Sequence, residues 1–154
     1  MNKDLCYTIT GFAAPRISLC DTAHIRPPYI HFRRKAPEYI LYYIHSGELA
    51  IREDDREYLL TGGHYILLDP SCEHEGLRST ACNFTYVHFS MDGIHMTVSE
   101  TGSFESTDRE SAFSEYPAAP VCFPKCGHLD AEDLAEDFNA GLSRLLAYTE
   151  DDPL

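Results

Sequence analysis

The sequence predicts a mainly β domain, a sandwich or barrel of short strands followed by one C-terminal α-helix. Three observations predict it. Short apolar and aromatic runs recur through roughly the first ninety residues, interrupted by turn-forming residues. Ten Tyr and eight Phe, mixed with β-branched residues, suit a pleated, half-buried surface. Only the last stretch places apolar residues at helical spacing.

Taken in order, the runs expected to form strands are 6–10, 16–20, 29–33, 38–46, 49–53, 56–60, 64–69 and 82–91. The breaks between them fall at Pro15, Pro27-Pro28, Ser46-Gly47, Asp54-Asp55, Gly62-Gly63, Pro70 and Gly76. "LAIREDDREYLL" is the clearest hairpin, because the short polar side chains of Asp54 and Asp55 tolerate the backbone angles of a tight turn. Residues 106–116 suit one or two helical turns. The three prolines in 115–128 leave that stretch extended or looped. In 129–149 the apolar positions Leu134, Phe138, Leu142, Leu145 and Leu146 line one helical face. Asp130 suits the N-cap, and Glu132 and Asp133 oppose the helix dipole favourably. Gly141 weakens the middle by about 1 kcal/mol relative to Ala. The stripe Leu134, Phe138, Leu142 and Leu145 either packs on the strands or forms a subunit interface. The organisation expected is an N-terminal arm with first strands (1–28), a barrel (29–128) and a helix (129–150).

The totals bound the function. The 154 residues suffice for one domain with its own core. With 25 acidic against 12 basic residues the formal net charge is −13, which repels phosphate backbones and anionic lipid. No run is long and apolar enough to span a bilayer, and the N-terminus lacks the apolar region of a secretion signal. A cytoplasmic protein with its six cysteines reduced is therefore expected.

The stretch "GGHYILLDPSCEHEG" (62–76) has the look of half a cupin-type metal site, with His74 as one ligand. Such a site needs three or four converging side chains. In the cupin pattern a His-x-His pair and a Glu precede a glycine turn, here Gly47. The paired-histidine position falls on Arg33 to Ala36 and the glutamate position on Ile40. Cations at that position repel a metal. No metal and no cofactor are expected. Cys122, Cys126 and His128 form a loose ligand-like run, read as a reduced loop. There is no Gly-x-Ser-x-Gly elbow and no phosphate-binding glycine loop, so no catalytic residue is named.

Arg33 or Arg34, then Tyr39, Leu41, Gly47, Tyr58, Leu60, Gly63, Pro70, His74, His88 and Phe89 follow in an order that resembles the N-terminal cupin-like domain of AraC-type transcription regulators. The resemblance covers about 29–150, with His64 where the family usually has Asp. It implies a cupin-like double-stranded β-barrel (jelly roll) and a helix used in dimerisation. It also implies a small-molecule effector, often a sugar, and control of a helix-turn-helix DNA-binding part. Nothing after residue 129 reads as such a part. The chain is expected to be a sensor domain, excised rather than naturally stand-alone, and a homodimer that meets DNA only through the missing part and meets no membrane.

A barrel without metal ligands is expected to keep an interior cavity lined by polar side chains. Alternation from Ile40 turns Tyr42 and Ile44 inward, and Phe84, Tyr86 and His88 on the 82–91 run. The expected ligand-binding set is Arg33, Arg34, Tyr42, His74, Phe84, Tyr86 and His88. An arginine there pairs with a carboxylate or bridges two hydroxyls, and rings suit the apolar face of a sugar. Tyr42 and Phe84 serve equally as core packing, and Arg33 and Arg34 as solvated cations. Residues 1–15, with Tyr7, Ile9 and Phe12, are expected to fold over the ligand as a lid. The competing readings are a small metal-dependent cupin enzyme, an isomerase or dioxygenase, and a barrel that only dimerises.

Overall fold

A computed structural model describes residues 4–10, 14–99, 121–129, 140, 141, 143 and 144. These are mainly β. The strands are β1 (Asp4–Ile9), β2 (Arg16–Ile25), β3 (Arg34–Lys35), β4 (Tyr39–Glu53), β5 (Arg56–Thr61), β6 (His64–Leu68), β7 (Glu73–Gly76), β8 (Cys82–Ser90), β9 (Ile94–Ser99), β10 (Val121–Pro124) and β11 (Cys126–His128). The chain divides into two units, residues 1–16 with 91–125, and residues 17–90 with 126–154.

In the smaller unit β1 is the middle of a three-stranded antiparallel sheet, between β10 and β9. Tyr7 on β1 is fully buried and stacks on Phe123, and Lys125 Nζ donates to its hydroxyl at 3.1 Å. The segment expected to act as a lid thus gives Tyr7 to the core of its own sheet. Phe12 lies outside the described residues.

The larger unit is organised by β4. Its 15 residues run unbroken through Ser46-Gly47, where the sequence suggests a turn between two strands. Up to Gly47 β4 pairs with β6 on one side and β8 on the other; beyond it β4 pairs with β5 and β7. A register shift between Ile44 and Ser46 marks the bend. Gly47 sits at φ +83°, and a Cβ there would lie 2.2 Å from the Ala81 carbonyl oxygen. Only glycine fits both demands. One strand therefore serves two sheet halves. The sheets are not closed into a barrel among the described residues.

Alternation then fixes the core. Ile40, Tyr42 and Ile44 before the bend join Leu49 and Ile51 after it in one buried cluster, with Leu60, Ile66, Leu68, Cys82 and Phe84. Tyr86 packs against that cluster. The other face of β4 and β8 sends Tyr43 and Val87, with Cys20 of β2, into a second small cluster. The 53–56 hairpin forms as the sequence predicts, with Glu53 opposite Arg56 and Asp54 at φ 49°.

Other elements differ from expectation. Residues 29–33 form a loop, and only Arg34–Lys35 is strand. The Pro27-Pro28 pair has no N–H to give a ladder, and Tyr29 N–H is used within the turn, on Arg26 O at 3.0 Å. Strand β7 covers "EHEG", which the sequence reading passes over because its buried side is a single histidine. Strands β9, β10 and β11 also appear where no strand is expected. Residues 106–116 and the stripe Leu134, Phe138, Leu142 and Leu145 lie outside the described residues. Ala140, Gly141, Ser143 and Arg144 alone are described there, and their backbone is helical.

Candidate effector-binding site

The strand registers bring Arg34, His74 and Glu53 into one row across β3, β7 and β4. Glu53 follows Ile51 by two residues and shares its buried face. Arg34 Nε donates to His74 Nε2 at 3.3 Å, so that nitrogen carries no proton and the His74 ring is neutral. His74 is 1% exposed. The histidine that the sequence leaves without co-ligands is partnered here by an arginine.

The loop before β3 supplies the next member. Gly76 N–H donates to His31 O at 2.8 Å, and a Cβ on Gly76 would come within 2.8 Å of His31 N. Glycine there lets the loop lie against β7 and puts the His31 ring inside. His31 Nδ1 lies 2.9 Å from Phe32 O; a carbonyl only accepts, so Nδ1 carries the proton. Nε2 is then the acceptor, and Tyr42 O–H donates to it at 3.1 Å. The Arg34 charge is close enough to Tyr42 to favour its ionised form, against the stronger effect of burial. The donations run one way, from Tyr42 to His31 and on to a backbone carbonyl.

Burial sets the charge states. It pushes the Tyr42 hydroxyl up to about 12, which keeps it protonated. It lowers the basicity of His31, and the Arg34 charge lowers it further against the hydrogen bond to Phe32. His88 is held down by burial and by Arg34, opposed by Glu38. Its ring lies 5.8 Å from that of Tyr86, and its Nδ1 is 3.8 Å from Glu38 Oε2. The Phe84 and Tyr42 rings meet at 5.0 Å. Arg34 is therefore a permanent cation among neutral imidazoles and phenols.

The cluster runs from dry to wet. Tyr42, His31 and His74 are buried, while Arg34, Tyr86 and His88 are half-buried. Phe32, 60% exposed, places its ring 5.3 Å from the Arg34 guanidinium carbon, and Tyr29 and Ile30 are exposed beside it in sequence. Between the sheet halves the rings and aliphatic groups of the main cluster pack together.

The structure separates the two arginines. Arg33 is exposed and ion-paired with Glu73. With Arg52, Glu73, Glu75, Asp54 and His74 it lines a cleft of about 480 Å³, where Arg52 pairs with Glu75. Of the expected ligand-binding set, Arg34, Tyr42, His74, Phe84, Tyr86 and His88 come together, while Arg33 is exposed, pairs with Glu73 and meets the set only through the cleft it lines with His74. His31 is the member that sequence reasoning missed. Its signal was the Pro27-Pro28 turn, which takes residues 29–33 out of strand alternation. Among the described residues no group of three or more His, Cys, Asp or Glu is arranged to hold a metal ion.

A family profile described as the AraC-like ligand binding domain matches residues 17–152. The chain belongs to the AraC-like ligand-binding domain family. Over 100 residues it is also 27% identical to YisR, an uncharacterized HTH-type transcriptional regulator of Bacillus subtilis. That alignment covers 63% of this chain and 35% of YisR, so the chain spans about a third of that relative's length. The family's description makes ligand binding the business of this fold, and the Arg34 cluster is a polar group in its larger unit that reaches both core and solvent. No helix among the described residues is long and apolar enough to cross a membrane.

Proposed function

We propose that this chain is the small-molecule-sensing and dimerisation domain of an AraC-type transcription regulator, built as a cupin-like double-stranded β-barrel. Its effector, a sugar-sized polar molecule, binds at Arg34 beside Tyr42, Tyr86, His88 and His74, with Phe84 beneath. The domain recognises this molecule without transforming it. Effector occupancy is passed to a helix-turn-helix part carried outside this chain, as the likeness to an HTH-type regulator suggests. The apolar stripe Leu134, Phe138, Leu142 and Leu145 joins two copies. The protein works in the cytoplasm.

The observation that carries this reading is a half-buried arginine hydrogen-bonded into a neutral His–Tyr network, in a chain of a ligand-binding family. Such a network holds a guanidinium in one orientation, which lowers the cost of ordering it when a ligand arrives. A thermal-shift screen against sugars and small acids tests it. A true effector at 100 times its Kd adds about 2.7 kcal/mol of stability. No stabiliser in a broad screen would leave a domain that only dimerises.

A further inference from the structure

We propose that the effector is an organic acid, and that its carboxylate is clamped by Arg34 with the Tyr86 hydroxyl and the His88 imidazole beside it. This rests on the sensor reading above and names the chemical class it takes. The argument is a balance of donors and acceptors. A neutral sugar presents hydroxyls that donate as well as accept, so a sugar site needs acceptors as well as donors. In this cluster the two buried imidazole acceptors beside Arg34 and Tyr42 are already used. His31 Nε2 accepts from Tyr42, and His74 Nε2 accepts from Arg34. What remains toward solvent is mostly donor: the rest of the guanidinium fork, half-buried and positively charged.

The charge balance points the same way. The chain carries a formal −13, yet among the described residues no carboxylate lies within 4.0 Å of the Arg34 nitrogens. The nearby acids are engaged elsewhere. Glu38 accepts from Ser18, and Glu53 accepts from Asp69 N–H at 2.8 Å. By contrast Arg33, Arg52 and Arg78 each hold a glutamate. A half-buried cation whose partners among the described residues are neutral is matched by a planar, acceptor-only anion, and a guanidinium fits a carboxylate through two parallel N–H···O bonds. The Phe32 ring over the Arg34 guanidinium, with Tyr29 and Ile30 exposed in the same loop, gives an apolar rim for the body of the acid.

The test uses matched pairs: benzoate with benzamide, glucuronate with glucose, and short monocarboxylates with their amides. Each is titrated by thermal shift and calorimetry into the wild-type chain, Arg34→Gln and Arg33→Gln. The expected result is that at least one acid binds, its neutral twin does not, and Arg34→Gln weakens the acid about 10- to 100-fold while Arg33→Gln leaves it unchanged. Should Arg34→Gln fold poorly, Arg34→Lys keeps the charge but loses the fork, and about a tenfold loss is expected. If a neutral twin binds as well as its acid, or Arg34→Gln and Arg34→Lys bind the acid like wild type, the acid assignment falls and the sensor reading stands. Silence from every pair overturns both.

Discussion

Arg33 and Arg34 are adjacent, chemically identical and differently employed. Arg33 spends its charge in water on Glu73, and exposed pairs of this kind contribute little. Arg33→Gln should therefore change unfolding free energy by less than about 0.5 kcal/mol. Tyr42 is the opposite case. Its buried hydroxyl donates to His31 beside the Arg34 charge. Tyr42→Phe keeps the ring and its contact with Phe84 but leaves a buried imidazole nitrogen without its donor. A loss of about 1–3 kcal/mol is expected from urea unfolding at pH 7.5. An unchanged midpoint would mean that the hydroxyl contributes nothing to the network. Alternation along the 38–46 run places Tyr42 on the inner face from sequence, but it cannot say which arginine follows it in, because the strand that carries Arg34 is only two residues long.

Element by element, what the sequence reveals depends on where the constraint lies. The 53–56 hairpin is legible because two aspartates and flanking alternation all act within a dozen residues. The bend of β4 is not, because "HSGEL" carries the residues of a turn. What makes it a bend is long-range: Glu48 N–H donates to Ala81 O at 3.0 Å, and β8 continues alongside to Cys82 opposite Gly47. Likewise β7 and β9–β11 exist through partners far away in sequence, which no local pattern announces. Gly47→Ala tests the bend directly. Its methyl would strike the Ala81 carbonyl at a left-handed φ, so a loss of about 2 kcal/mol or more is expected, with no soluble protein as the extreme outcome. Gly141 is the control. It is exposed, its backbone is helical, and a Cβ would meet nothing within 4 Å. Gly141→Ala should stabilise the chain by up to about 1 kcal/mol, and a destabilised product would show that position is not in a solvated helix.

For the whole molecule, the same cluster couples folding, protons and ligand. His31 and His88 have their basicity lowered by burial first and by Arg34 next, with Glu38 opposing at His88. The folded chain thus holds both imidazoles neutral where the unfolded chain, with pKa about 6.5, protonates them. Between the folded and unfolded values the unfolded state binds more protons, so stability rises with pH in that window. It is fully present above about pH 6.5 and is lost as pH falls from there toward the lowered folded values. An anion on Arg34 reverses the local balance. It offsets the guanidinium charge and favours imidazolium at His88, so the bound protein takes up protons that the free one refuses. The free protein should lose thermal stability on going from pH 7.5 to 5.5, and the bound protein should lose less. The melting-temperature gain from a bound carboxylate should accordingly widen as pH drops, for as long as the acid stays ionised. Tying the effect to the ring needs His88→Gln, which cannot titrate and should flatten the widening, whatever its effect on affinity at pH 7.5. A gain that shrinks with acidification in the wild type would show that the imidazoles near Arg34 do not sense the ligand's charge.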